Sequence, residues 1–244
     1  MAIAPDKAAT GMTGFDDITG GGLPRGRTTL LVGGAGAGKT VMALQFLVHG
    51  ARHCKEPGIF VAFEEPASRL LANACSFGWA LEALMPKKLF ILNAQPAPGL
   101  VQSGDFDLGG MLAALSVQAR AMRARRIVFD ALDVVLALLP DTAARRREIY
   151  RLHAWLLEHQ LTGLITLKAD AQESREISPQ ALGFMQFMVD CNVILNHGVV
   201  HGLSQRTLRV QKYRGSSFDE DESPLVIGKH GVEVRTRLRE ASPS

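Results

Sequence analysis

Thr28-Thr29-Leu30-Leu31-Val32-Gly33-Gly34-Ala35-Gly36-Ala37-Gly38-Lys39-Thr40 decides the fold of this chain. Its first five residues are β-branched or apolar and read as a buried strand. The next eight fit G-x-x-x-x-G-K-[ST], and Lys39 to Ala51, with Met42, Leu44, Phe46 and Leu47 on an apolar face, reads as a helix. Strand, glycine-rich turn and helix are the context this motif requires. The glycines let successive N–H groups converge on one concavity that holds phosphate oxygens. The helix adds its positive amino end. Lys39 is then placed for the β- and γ-phosphates and the Thr40 hydroxyl for Mg²⁺. These residues predict a site for a nucleoside triphosphate with Mg²⁺.

Outward from that turn, short apolar runs alternate with longer helical patterns. Strands are expected at 58–63, 89–92, 127–130, 164–167, 192–195 and 208–211. Helices are expected from Pro66 to about Phe77, from Met111 to Arg123, and after a cap at Asp141, with Ile149, Leu152 and Leu156 on one side. Such alternation implies an α/β fold with a mostly parallel sheet covered by helices on both faces. The last strands, with little room for a helix between them, imply an antiparallel extension. Residues 1–234 read as one domain and the polar stretch 235–244 as a tail or linker.

Three carboxylates are candidates for chemistry beside the phosphates. Asp130 closes Ile127-Val128-Phe129, so it stands at the carboxyl edge of the sheet, where ligands bind in open α/β folds. There it would hold the Mg²⁺ or its waters. Asp133, three residues past the strand, is the weaker competitor. Glu64 and Glu65 end the second strand at the same edge, and a carboxylate there can accept the proton of a water attacking the γ-phosphorus. Because neighbours on a strand point to opposite faces, only one of the two is expected to touch that water.

Composition excludes several other classes. The 244 residues carry 27 Lys and Arg against 24 Asp and Glu, a net charge of +3, and 47% of them are hydrophobic, too many for a disordered chain. No apolar run is long enough for a membrane helix, so no membrane is expected. Cys54, Cys75 and Cys191 are odd in number and scattered, which suits reduced thiols in a cytoplasmic protein.

Several separated segments also resemble one family. Gly11-Met12-Thr13-Gly14-Phe15-Asp16-Asp17-Ile18, Gly20-Gly21-Gly22-Leu23-Pro24-Arg25-Gly26, the glycine-rich turn, Phe63-Glu64-Glu65-Pro66, Ser76-Phe77-Gly78-Trp79 and Lys212-Tyr213-Arg214-Gly215-Ser216-Ser217 look like the KaiC family of the RecA superfamily. The likeness runs from about Gly11 to Val234 and is nearest to the N-terminal ATPase domain of the family's circadian clock protein. It implies a RecA-like domain in a homo-hexameric ring, with ATP and Mg²⁺ between subunits and a KaiB-like protein partner reading the nucleotide state. Carried over by position, Gly36, Ala37, Gly38, Lys39, Thr40, Val41 and Ser76 contact ATP from one subunit. Lys212, Tyr213, Arg214, Ser216 and Phe218 fall in the segment a neighbouring subunit presents. Glu64 and Glu65 match the catalytic glutamate pair. Phe218 replaces the histidine expected at its position, and Gly228-Lys229 replaces a Thr-Asp. Gln186 and Phe187 stand where a second domain of the clock protein carries its phosphorylated Ser-Thr pair, and neither has a hydroxyl.

Lys212 and Arg214 lie two apart on a strand end, so their side chains share a face. Two cations there need an anion, and the sequence offers no acid before Asp219. A scaffold that bound ATP merely holds together is one competing reading, and a DNA-handling motor is the other. Arg123, Arg125 and Arg126, and Arg145, Arg146 and Arg147, would be its support. The acidic run Asp219-Glu220-Asp221-Glu222 and the small net charge argue against it.

Overall fold

The computed structural model describes residues 6–96, 108–168 and 179–236. The glycine-rich turn joins β3 (Thr28–Gly33) to α2 (Lys39–His53), as expected. Around β3 stand β4 (Gly58–Ala62), β5 (Leu89–Asn93), β6 (Arg126–Asp130), β7 (Thr162–Lys168), β8 (Cys191–Val200), β9 (Leu203–Tyr213), β10 (Ser223–Gly228) and β11 (Gly231–Val234). They form one nine-stranded sheet in the order β11-β10-β9-β8-β3-β7-β6-β4-β5. Every pairing from β8 through β5 is parallel, and β9, β10 and β11 are antiparallel additions at the other end. A separate two-stranded ribbon, β1 (Lys7–Ala8) with β2 (Leu23–Pro24), precedes the sheet.

Alternation along the central strands sends residues into two cores, one on each face. Leu31, Phe60, Val128 and Leu164 meet α2 and α3 (Ala67–Cys75) on one side. Leu30, Val32, Ile59, Val61, Ile127, Phe129 and Ile165 meet α4 (Leu108–Met122) and α6 (Thr142–Glu158) on the other. The Asp141 carboxylate caps α6, accepting from Ala144 N at 2.7 Å. Pro66 is the residue before α3, with extended ψ of 148°, so that helix starts one residue later than its proline suggests.

Three helices escape the sequence pattern, α1 (Phe15–Ile18), α5 (Asp133–Leu136) and α7 (Pro179–Met188), and so do the strands β1, β2, β10 and β11. The β8–β9 hairpin also extends well past 192–195 and 208–211, closed by His201 and Gly202, both at positive φ (51° and 76°), a two-residue turn that suits the strand twist. The added residues Asn196–Val200 are exposed, so no buried alternation marked them. All three cysteines are free, and burial pushes the Cys191 thiol up to about 12. No helix among the described residues is long and apolar enough to cross a membrane. The expected tail falls mostly on residues 237–244, outside the described ones.

Candidate nucleotide site

Gly36 (φ 70°) and Gly38 (φ 103°) make the turn, and both conformations are costly for any residue with a Cβ. At Gly38 a Cβ would also stand 3.0 Å from Ile227 Cδ1. Gly38 is the residue preceding α2, so the first N–H groups of that helix have no intrahelical acceptor. They open on a cavity of about 300 Å³ lined by Ala35, Gly36, Gly38, Lys39, Thr40 and Val41, and across from them by Glu64, Glu65, Asp130, Lys168 and Ile227. Ala37 is buried beneath the loop instead of lining it. Lys39 Nζ donates to Gly33 O and Gly34 O at 2.7 and 2.9 Å, which bends its side chain back over the turn.

Asp130 is where its strand position predicts. Thr40 Oγ1 donates to Asp130 Oδ2 at 2.9 Å, and the Thr166 hydroxyl donates to Oδ1. Burial pushes the Asp130 carboxyl above the ordinary carboxylate range, against the pull of the Thr166 and Thr40 hydroxyls; the Glu64 charge pushes it further up and Lys39 draws it down. A buried carboxylate beside a hydroxyl oxygen is a hard oxygen pair that suits Mg²⁺. Asp133 does another job: its Oδ1 accepts from Lys168 N at 2.9 Å and it lines no part of the cavity.

Both glutamates line the cavity, and strand alternation does not apply to them. The reason is local: β4 ends at Ala62, so Glu64 and Glu65 occupy a bend where successive side chains no longer oppose each other. Phe63 N donates to Asp130 O at 2.8 Å and Gln95 Nε2 to Glu64 O at 2.9 Å, which fixes that bend beside β6. Ser76 lies apart from the cavity, its hydroxyl donating to Asn73 O at 2.7 Å at the end of α3.

The 212–218 segment lies elsewhere in the same subunit. Lys212 Nζ donates to Gln186 O and Phe187 O at 2.8 Å each, and Arg214 Nη2 donates to Phe187 O at 2.7 Å. The two cations do share a face, and what meets them is the carboxyl end of α7, whose carbonyls carry partial negative charge. Burial and the neighbouring Arg214 hold Lys212 below the ordinary lysine value. Tyr213 is buried, its hydroxyl donating to Gly22 O at 3.0 Å. The Ser216 hydroxyl accepts from Lys7 Nζ at 2.7 Å, and Phe218 packs against the core with its ring 6.3 Å from that of Tyr213.

Lys168 and Ile227 are cavity residues that sequence reading missed. Lys168 had a signal, since it ends a strand next to β3 and so reaches the same edge. Ile227 had none, because only the pairing of β9 with β10 brings it over the loop.

Comparison with known proteins agrees with this geometry. The family described as "ATPase: KaiC" matches residues 8–239. The chain is 39% identical over 231 residues to the "Circadian clock oscillator protein KaiC" of Parasynechococcus marenigrum, covering 93% of this chain and 44% of that protein. Against "Circadian clock protein KaiC2" of Synechocystis sp. the figures are 36%, 93% and 40%, and against the KaiC of Prochlorococcus marinus strain MIT 9313 they are 40%, 93% and 46%. The chain thus spans less than half the length of these curated relatives. A RecA-like α/β sheet, a complete phosphate-binding turn with its Asp130, and a match over nearly the whole length place this chain in the KaiC ATPase family.

Proposed function

We propose that this chain binds ATP with Mg²⁺ and hydrolyses it to ADP and phosphate at the boundaries between subunits of a KaiC-like hexameric ring. The ring acts as a regulatory, circadian-clock-type switch whose nucleotide state a KaiB-like protein partner reads. One observation supports the reading: the glycine-rich turn, Lys39, Thr40, Asp130 and both glutamates line one cavity, while Lys212 and Arg214 are not among its lining residues. Cations placed that way suit the nucleotide of a neighbour.

In this reading the N–H groups of the turn and the Lys39 ammonium bind the phosphates. Thr40 and Asp130 would hold Mg²⁺, which neutralises charge on the β- and γ-oxygens when bound. Glu64 or Glu65 accepts the proton of the attacking water as the new oxygen–phosphorus bond forms and the bond to the β–γ bridging oxygen breaks, releasing ADP. Arg214 and Lys212 from the adjacent subunit stabilise charge on the transferred group. Val41 borders the cavity, whereas Ser76, Tyr213, Ser216 and Phe218 are assigned to the nucleotide by resemblance. Autophosphorylation at the family position has no acceptor, because Gln186 and Phe187 lack hydroxyls.

Subunit mixing tests this. Arg214→Ala subunits and Glu64→Gln/Glu65→Gln subunits are each expected to be inactive alone, and mixed rings to regain hydrolysis where an intact glutamate side meets an intact arginine. No recovery in rings shown to be mixed removes Arg214 from the neighbour's chemistry. Stimulation of hydrolysis by single-stranded DNA would favour a DNA motor, and unchanged turnover in the double Gln protein a nucleotide-held scaffold.

A further inference from the structure

The run Arg123-Ala124-Arg125-Arg126 divides in the fold. Arg126 turns inward and is fully buried, where its Nε donates to Glu56 Oε2 at 2.6 Å and its Nη1 to Ala9 O and Phe46 O at 2.8 Å each. Arg123 and Arg125 turn outward. With Arg120, from the last turn of α4, they line a separate cavity of about 310 Å³ whose remaining wall includes His159 and Leu161. No carboxylate lines that cavity, and among the described residues none of the three arginines forms an ion pair.

The cavity stands before the first residues of β6 and β7, whereas Asp130 and Lys168 end those strands at the nucleotide cavity. It is therefore at the opposite edge of the sheet. Three cations converging on one concavity repel each other. The carboxyl end of α4 offers them a partial charge of only about −0.5, far short of neutralising three. The adjoining wall is rigid: His159 stacks on Trp155 at 4.6 Å between ring centroids, and its Nδ1 lies 2.9 Å from Trp155 O, a carbonyl that can only accept. Its Nε2 is buried and has no hydrogen-bond partner.

We infer that this cavity is a binding site for a small phosphate-bearing polyanion of about the size of pyrophosphate, held by Arg120, Arg123 and Arg125. Guanidinium groups present paired donors that match phosphate oxygens. The volume lies at the small end of ligand pockets, which run from roughly 300 to 1,000 Å³. A concave cluster on a chain of net charge +3 differs from the extended basic stripe that tracks a nucleic-acid backbone.

Titration calorimetry with inorganic pyrophosphate in Mg-free buffer tests the inference on four proteins: wild type, Lys39→Ala, Arg120→Gln/Arg125→Gln and Arg125→Lys. Saturable binding is expected to persist in Lys39→Ala, whose phosphate turn is disabled. In the double Gln protein the site outside the phosphate turn weakens by at least about tenfold, because charge-assisted hydrogen bonds to the anion are lost. Arg125→Lys, which keeps the charge, retains most of the binding. The inference is overturned by an absence of saturable heat at millimolar pyrophosphate, or by binding lost in Lys39→Ala and untouched in the double Gln protein. It is equally overturned if single-stranded DNA binds through the same arginines with affinity that grows with oligonucleotide length, which would make this a nucleic-acid face.

Discussion

At the amino end of α2, two glycines at positive φ leave the first helical N–H groups facing an open cavity. At the carboxyl end of α7, the last carbonyls are already met by Lys212 and Arg214. Both ends carry the partial charge of a helix terminus, of opposite sign. The difference is what satisfies them. One end is completed by side chains of its own subunit, and the other is shaped for something the chain does not contain. Lys39 makes the contrast sharper, because its ammonium rests on Gly33 O and Gly34 O of the loop itself, so the cation stays with the open end.

The largest expected effect breaks the open end's chemistry without closing it. Glu64→Gln/Glu65→Gln is expected to keep ATP binding and lower kcat by ~10²–10⁴, read by phosphate release beside a nucleotide titration; activity above roughly half of wild type would move the base elsewhere. Next, Lys39→Ala removes the cation and should weaken ATP binding by about 1.5–3 kcal/mol, measured with a fluorescent ATP analogue. Wild-type affinity would sink the phosphate-site assignment.

A smaller effect concerns Asp130. Its carboxyl is raised in the fold above an unfolded value of about 3.9. Its contribution to stability is therefore full below the unfolded value and is lost as pH rises through the folded one. Without nucleotide, Asp130→Asn should accordingly be more stable than wild type at neutral pH, the gap closing as pH falls toward 4 or so, while Mg²⁺ no longer tightens ATP binding. Urea midpoints against pH check this. A less stable Asn protein at neutral pH would mean that the Thr40 and Thr166 hydroxyls outweigh burial. The smallest effect is on folding stability at the filled end: whatever it does to hydrolysis, Arg214→Ala should cost about 0.3–1 kcal/mol of stability through the α7 terminus, visible as a small drop in the same midpoints. A loss of several kcal/mol would show that α7 depends on that side chain far more than a helix terminus does.

The two ends also differ in how far the sequence reveals them. The phosphate turn is local: strand, glycines, lysine and helix follow one another, and Asp130 announces itself by ending an apolar run. The α7 end is invisible by the same means. Leu182, Phe184, Met185, Phe187 and Met188 are apolar around the whole helix, so no 3.6-residue face stands out. Without that helix, Lys212 and Arg214 look unpartnered until Asp219. The glutamates are intermediate. Their position at the sheet edge is legible, but the strand ends one residue earlier than the apolar pattern suggests, so alternation does not tell the two apart, and both line the cavity.

The antiparallel hairpin has a consequence for the speed of nucleotide capture. Arg206 Nε donates to Gly36 O at 2.8 Å, and His197, its cross-strand partner, lies with Nδ1 3.5 Å from Ala35 O. The glycine-rich loop is thus braced from its outer side by two residues of a distant hairpin. Ordering a free backbone residue costs about 1–2 kcal/mol, and here that ordering accompanies folding of the sheet and not arrival of the phosphates. An incoming nucleotide meets a receptor that has already stopped searching, so encounter and capture become nearly one event.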